Sequence, residues 1–243
     1  MAQAKADIIA QLQKEILGLQ GLKKTNDRAV DFGWGSIDAA FPDKCFPTAA
    51  VHEFVSTCPE DKAASTGFIS GILGTLMKNT GSCVWISTTR TIFPPALKHF
   101  GIEPHNIIFI DLQRERDVLW ATEEALKCEG LGAVVGEISD LNFNASRRLQ
   151  LAVEQSRVTG FVLRHQPGPI NITACVTRWK ITSLPGKLPD DMPGLGFPCW
   201  QVDLQKVRNG KPGSWQVEWV SGKFRNNQGY VTSLKPAQQK KAI

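Results

Sequence analysis

The segment between Val51 and Leu73 constrains the fold of this chain more than any other. It opens as an apolar run, VHEFVS, passes through the polar stretch TCPEDK and continues as a small-residue helical pattern, AASTGFISGIL. A buried strand, a turn and a helix in this order form the phosphate-binding unit of parallel α/β sheets, in which the helix N-terminus faces the anion. The first question is therefore whether this turn can hold a phosphate.

The turn lacks the chemistry of a working phosphate-binding loop. Such a loop needs glycines for close backbone approach, a lysine for the phosphate charge, and a following Ser or Thr for Mg²⁺. Here Lys62 is followed by two alanines, Pro59 has no N–H to donate, and the acidic Glu60 and Asp61 would repel phosphate. We therefore predict a degenerate loop without a bound nucleotide. The positions that remain of a phosphate-binding loop are Ser56, Lys62, Thr66 and Gly67.

The carboxylates that nucleotide hydrolysis needs are also missing from the neighbouring predicted strands. One carboxylate must activate water and another must hold the metal. The run CVWIS ends in Thr88 and Thr89, and AVVGEI offers only Glu137, which is either a metal ligand or an ordinary capped or solvated carboxylate. The cysteines and histidines fall in no zinc-ligand spacing. We predict no catalytic residue, no cofactor and no metal, and hence a protein that is not an enzyme.

Short apolar runs alternate with helical patterns over most of the chain. This alternation predicts an α/β fold with a mostly parallel sheet sandwiched by helices. The helix NASRRLQLAVEQSRVT is expected to be capped by Asn144 or Ser146, and ITACVTRWKITSLP is expected to form one long strand. Two alternating runs around RNGKPG predict that the sheet ends in an antiparallel hairpin.

The first residues predict an amphipathic helix joined to the rest by a polar linker. One side of the helix carries Ile8, Leu12, Ile16 and Leu19. This helix either packs on its own domain or docks on a partner, and we take these four residues as candidate partner-binding residues. The expected division is a helix and linker over 1–30, the α/β domain over 31–225 and a flexible basic tail over 226–243. The N-terminus lacks a signal-peptide pattern and no apolar run could span a membrane, so we expect a cytoplasmic protein without membrane contact.

Positive charge is concentrated at the C-terminal end. The chain carries +5 overall, and residues 199–243 contain eight basic residues against two acidic ones. Trp215 and Trp219 alternate with Val217, so we expect them to face the core and the charges to point outward. Such a surface either contacts phosphates nonspecifically or protects an edge from strand pairing. The candidate DNA-binding residues are Lys206, Arg208, Lys211, Lys223 and Arg225, with Arg147 and Arg148 on a helix that is either a binding face or simply solvated.

The order of these motifs resembles the RecA recombinase core. The matching segments are WGSIDAAFPDKCFPTAAVHEF, the degenerate loop, CVWISTTRTIFPPALKHFGIEPHNIIFID, EEALKCEGLGAVVGEI and GFVLRHQ. The further segments SRRLQLAVEQS, VTRWKITSLP and WQVDLQKVRNGKPGSWQVEWVSGKFR make the chain more similar to the ImuA family, the RecA-related accessory proteins of bacterial error-prone repair. The resemblance covers roughly residues 32–225.

This resemblance implies a function and also marks departures from RecA. RecA has a full phosphate-binding loop, a Glu on the strand matching CVWISTT and an Asp on the strand matching AVVGEI, and its two DNA loops are here shortened to SDLNFNASRR and PGPIN. The resemblance implies a non-catalytic accessory protein of the SOS-induced translesion mutasome. Its implied partners are an ImuB-type relative of the Y-family polymerases and an error-prone polymerase, with contact to RecA and nonspecific DNA left open. The alternatives are a cell-division inhibitor of the SulA type and an atypical ATPase of the RecA superfamily.

Overall fold

The strand–turn–helix segment lies at the centre of a mixed sheet. A computed structural model describes residues 30–168, 170–186 and 196–226, apart from the side chains of residues 79 and 80. Within these residues the sheet has nine strands in the order β3-β2-β4-β5-β1-β6-β7-β8-β9. The strands are β1 Val51–Ser56, β2 Cys83–Ser87, β3 Ile107–Asp111, β4 Ala133–Glu137, β5 Thr159–His165, β6 Thr177–Leu184, β7 Cys199–Val207, β8 Gly213–Val220 and β9 Lys223–Asn226.

Three α-helices cover the two faces of the parallel part. They are α1 Pro59–Thr80, α2 Glu115–Leu126 and α3 Phe143–Ser156, with short 3-10 helices at Gly35–Ala40, Pro94–Phe100 and Pro104–Asn106. Alternate residues of β1 point to opposite faces. Phe54 packs against Phe68 of α1, whereas Val51 joins the apolar cluster formed with α2 and α3. The central strands are therefore buried on both faces, which explains their continuous apolar runs.

The antiparallel part buries one face and leaves the other polar. β7 pairs antiparallel with β6 and β8, and β9 pairs with β8. The buried face carries Trp179, Trp200, Trp215 and Trp219, of which Trp179 and Trp200 contact Phe68 of α1. The alternating pattern of burial along β6 matches a strand with one wet face.

The predicted fold class is confirmed. The sheet is mostly parallel, and helices lie on both faces of its parallel part. At its antiparallel end, β7 and β8 form the predicted hairpin around residues 208–211. The strand β9 was not predicted, because four residues, KFRN, carry too little periodicity to identify. The predicted N-terminal helix and most of the predicted tail lie outside the described residues.

Two local predictions were wrong. The cap of α3 is Asn142, not Asn144 or Ser146, because the Asn142 side chain accepts a hydrogen bond of 2.8 Å from the backbone N–H of Ala145 and starts the helix at Phe143. The long strand predicted from Ile172 is also shorter, since β6 begins only at Thr177. Residues 172–176 instead form an irregular segment, in which the Thr173 side chain and the carbonyls of Thr173 and Ala174 belong to the polar network described below.

Candidate functional site

The turn that matches a phosphate-binding loop is reduced to two residues. β1 ends at Ser56, Thr57 and Cys58 form the turn, and α1 begins at Pro59. Proline at the first helical position is preorganised for a helix, and acidic residues in the first turn favour its N-terminus. Three of the predicted loop positions, Lys62, Thr66 and Gly67, therefore lie inside α1 and not in a loop.

Carboxylates occupy the place where a phosphate would meet the helix N-terminus. Glu60 and Asp61 both lie in the first turn of α1. Asp61 is buried, and its Oδ2 accepts a hydrogen bond of 3.0 Å from the Thr57 hydroxyl. A fixed negative charge at this end of the helix competes directly with any anion that approaches it.

The predicted loop lysine is held by the predicted strand-end carboxylate. The Lys62 Nζ lies 3.0 Å from the Glu137 Oε2, and the Glu137 side chain is 8% exposed. Glu137 also accepts hydrogen bonds from the Trp85 indole at 3.0 Å and from His165 Nε2 at 3.3 Å. Lys62 lies in the first turns of α1, and its partners come from three strands. The strands are β2, which carries Trp85, and β4 and β5, which end in Glu137 and His165 at the carboxyl edge of the sheet. Sequence analysis identified Lys62 and Glu137 but not their contact.

This arrangement leaves Glu137 ionised and fully engaged. Burial raises the pKa of its carboxyl group, but the hydrogen bonds from His165, Trp85 and Lys62 outweigh burial and hold the pKa below its ordinary value. A carboxylate that accepts from three donors is poorly available as a base or as a metal ligand. The described part of the chain contains no group of three or more His, Cys, Asp or Glu side chains that could hold a metal ion.

A groove of about 810 Å³ runs beside the same helix. Its only charged lining residues within the described chain are Glu60 and Lys62, and the latter is already paired with Glu137. Gly67 lets the sheet approach closely, since a Cβ atom there would lie 3.2 Å from the Trp200 ring. The groove is mainly apolar, with a lining that includes Ala63, Gly67, Ile92, Phe93, Phe100 and Trp200.

A second polar cluster lies on the α2/α3 face of the sheet and was missed by sequence analysis. Glu53 of β1 is fully buried and pairs with Arg164 of β5 at 2.7 Å and with Arg178 of β6 at 3.0 Å. The Thr173 hydroxyl donates to the same carboxylate at 2.8 Å, and Arg164 also donates to Asn171 Oδ1. The available signal was a charged residue inside each of two strands that are otherwise apolar, because a buried charge requires a partner.

Two of the predicted DNA-binding residues belong to the edge of this cluster. Lys206 and Arg208 are half-buried, and they donate to the backbone carbonyls of Thr173 at 2.7 Å and Ala174 at 2.9 Å. These two side chains do not extend freely into solvent, because the carbonyl groups of the segment before β6 accept their hydrogen bonds. Trp215 and Trp219 are buried as expected.

The remaining predicted basic residues are separate from this cluster. Arg148 forms an ion pair of 3.0 Å with Glu123 of α2. Arg225 lies opposite Glu218 in the pairing of β8 with β9. All of them are exposed, namely Lys211, Lys223, Arg225, Arg147 and Arg148. The candidate partner-binding residues Ile8, Leu12, Ile16 and Leu19 lie outside the described residues.

Comparisons with known proteins identify relatives that match most of the chain. No family model matches the sequence. The protein named ImuA from two strains of Caulobacter vibrioides is 32% identical over 207 residues, which cover 80% of this chain and 85% of the relative. None of the described helices is both long and apolar enough to cross a membrane. An identity of this level over most of both chains, together with the α/β fold expected for a RecA-like core, shows that this chain belongs to the ImuA family.

Proposed function

We propose that this protein is a non-catalytic accessory factor of SOS-induced translesion synthesis. It assembles or recruits an ImuB-type relative of the Y-family polymerases and an error-prone polymerase at damaged DNA. Its membership of the ImuA family supports a role in damage-induced mutagenesis. The same relationship favours this role over a cell-division inhibitor of the SulA type. We place the protein in the cytoplasm, where these partners act.

The observation that carries the non-catalytic part is the ion pair between Lys62 and Glu137. A phosphate-binding lysine must be free to meet the nucleotide, and here its ammonium group is 3.0 Å from a buried carboxylate. The two-residue turn before Pro59 also leaves no row of backbone amides to surround a phosphate. A nucleotide would therefore have to break the pair and displace the Asp61 carboxylate from the helix N-terminus.

ATP binding and turnover test this proposal. We expect no saturable binding in calorimetry at physiological Mg²⁺ and no phosphate release above the buffer rate, with a working ATPase of the RecA superfamily as positive control. Micromolar binding that disappears in Lys62→Ala would establish the alternative of an atypical ATPase. Binding that is equal in the wild type and in Lys62→Ala would indicate a nucleotide site elsewhere and would also contradict the proposal.

Partner capture tests the adaptor role. We propose that the predicted N-terminal helix docks on the partner through Ile8, Leu12, Ile16 and Leu19. Leu12→Asp or Ile16→Asp should abolish capture of the ImuB homologue in a pull-down without DNA and leave the melting temperature of the protein unchanged. Gln13→Asp, on the polar side of the predicted helix, is the matched control and should not change capture. A large drop in melting temperature for Leu12→Asp would show that this helix belongs to the protein's own core.

A further inference from the structure

A β-bulge in β7 places two positive charges opposite each other. Trp179 of β6 pairs with Leu204, but the next residue, Arg178, pairs with Lys206, so Gln205 is skipped. In a regular ladder Arg178 would face the neutral Gln205. Like charges directly opposite each other destabilise a sheet, and bulges are retained where they redirect a side chain. The bulge therefore places Lys206 opposite Arg178 on the polar face of the sheet, although Gln205 at this position would have avoided the repulsion between two positive charges.

Positive charge around this bulge exceeds the negative charge that faces it. The carboxylate of the cluster is Glu53, and it is already shared by Arg164 and Arg178. Within the described chain, Lys206 and Arg208 donate to backbone carbonyls and form no ion pair. Burial lowers the pKa of Lys206; Cys175 and Glu53 oppose this change, whereas the charges of Arg178 and Arg208 add to it. This half-buried excess of cations calls for an anion that the described chain does not supply.

We propose that this polar face of β6 and β7 binds the phosphodiester backbone of nucleic acid through Lys206 and Arg208, beside the Arg178 guanidinium, which Glu53, Asn171 and Thr173 already engage. The inference deepens the proposed role at damaged DNA and rests on it for its biological setting. Lys206 and Arg208 each use one N–H donor on a carbonyl, so further donors remain for phosphate oxygens. α1 packs on the opposite face of β6, whereas α3 contacts the segment before β6, where the Ser146 hydroxyl accepts a hydrogen bond from the Ala174 N–H.

The arrangement of the cations favours a chain of phosphates over a single ion. Lys180 follows Arg178 on the same face of β6, about 7 Å farther along the strand. Opposite Lys180 stands Asp203, whose carboxylate accepts hydrogen bonds from the Ser214 hydroxyl and the Gln201 amide. Lys206 and Arg208 are two positions, about 7 Å, apart along the chain, whereas Asp203 faces Lys180, so the excess positive charge lies at the bulge end of the two strands.

The test must separate phosphate binding from a purely structural role in holding residues 173 and 174. The double variant Lys206→Gln with Arg208→Gln removes two charges and keeps a neutral N–H donor at each position, and its melting temperature reports any loss of the contacts to residues 173 and 174. The matched control is Lys98→Gln with Arg116→Gln, which removes the same charge from exposed positions that are not among the candidate DNA-binding residues. Binding of a fluorescent thirty-nucleotide oligo(dT) and of a duplex of the same length is measured across a salt series, with melting temperatures for each protein.

We expect the wild type and the control to bind with equal affinity and equal salt dependence. The slope of log affinity against log salt for the Lys206/Arg208 variant should be shallower by about 0.7–0.9 per lost contact, with an unchanged melting temperature. Equal losses in both variants would overturn the proposal in favour of a diffuse charge effect, and absence of nucleic-acid binding in the wild type would overturn it outright. A rise in melting temperature with inorganic phosphate, but no binding of oligonucleotide, would overturn the proposal in favour of a site for a free anion. The pull-down of the ImuB homologue is measured without DNA, so failure of the DNA-binding proposal can be distinguished from failure of the proposed adaptor function.

Discussion

At the scale of single residues, buried polar groups are where the sheet is most vulnerable. Glu53 and Arg164 lie on two neighbouring strands, and their side chains are 0% and 1% exposed. The attraction between the two charges contributes little net stability, because removing both of them from water offsets much of it. Each charge mainly neutralises the other. Removal of one partner leaves an uncompensated charge in the core, and this is the costly state.

We predict that Arg164→Met lowers the free energy of unfolding by about 3–5 kcal/mol, because Glu53 loses one of its two ion pairs and its best hydrogen bond. Urea denaturation monitored by circular dichroism measures this change. Arg147→Met, at an exposed position of α3, is the control and should change stability by no more than about 0.5 kcal/mol. Equal effects of the two variants would contradict the assignment of a buried pair.

The pH dependence of stability should report on His52. This ring is fully buried, its Nδ1 and the Thr177 hydroxyl lie 2.7 Å apart, and its Nε2 lies 2.9 Å from the Pro47 carbonyl oxygen. Burial lowers the pKa of His52 to about 3, although the hydrogen bond to Pro47 opposes this change. The unfolded chain takes up a proton below its ordinary pKa of 6.5, and the folded protein does not do so until about pH 3.

We therefore predict that stability falls as the pH drops below 6.5, by up to about 1.4 kcal/mol per pH unit from this residue. Urea denaturation at pH 7, 6 and 5 measures the slope. His52→Gln should have a smaller slope over this range, whereas His99→Gln, on the surface, should match the wild type. Identical slopes for wild type and His52→Gln would mean that the ring does not stay neutral in the folded state.

At the scale of elements, α1 is shaped by what packs on it more than by its own helix propensity. Glycines are poor helix formers, yet α1 contains three of them, at positions 67, 71 and 74. A Cβ atom at Gly71 would meet the rings of Trp219 and Phe224, and one at Gly74 would overlap the Phe100 carbonyl oxygen. The glycines lower the helix propensity of α1, but they allow the antiparallel strands to approach it on one side and the Pro94–Phe100 turn on the other.

Close packing at Gly74 predicts that an alanine there destabilises the protein, although helix propensity alone predicts the opposite. Gly74→Ala should stabilise an isolated helix by about 1 kcal/mol. In the protein we expect it to destabilise the fold by about 1–3 kcal/mol, because the contacting atom is backbone and cannot rotate away. Thermal and urea denaturation measure the sign. A peptide of residues 59–80 with the same substitution is the control and should gain helicity by circular dichroism.

At the scale of the whole molecule, an aromatic cluster joins the two ends of the described domain. Phe224 of β9 packs against Trp34 near the start of the domain, and both contact Phe68 of α1. Trp200 and Trp219 contact Phe224 from the antiparallel strands. Residues about 190 positions apart in the chain therefore share one core, so the last strand is part of the domain and not an appendage.

We predict that Phe224→Ala lowers the free energy of unfolding by about 3–5 kcal/mol, since this side chain is 3% exposed at the centre of the cluster. The change should appear as one cooperative transition in urea, because α1 and the antiparallel strands lose a shared contact. Phe93→Ala removes a ring that is 69% exposed and serves as the control, with little expected effect. A separate early transition for β7 to β9 would show that the hairpin unfolds on its own.

The sequence by itself determined the α/β class, the parallel centre and the antiparallel end, and it predicted a degenerate loop. These features follow from local information: runs of apolar residues, the turn signal RNGKPG, and the absence of a glycine–lysine–hydroxyl arrangement. The position of Lys62 after the first strand was also readable. The family resemblance was readable because it rests on the order of such segments along the chain, which needs no knowledge of distances.

Only the tertiary structure decided which charges meet. Lys62 and Glu137 are 75 positions apart, and Glu53 and Arg164 are 111 positions apart, so no sequence spacing could reveal either pair. The bulge that brings Lys206 opposite Arg178 is likewise a matter of register between two strands, and a shift of one residue exchanges the faces on which side chains lie. Hydrophobic periodicity records which residues are buried, but pairing of buried charges depends on contacts that form only when distant strands become neighbours.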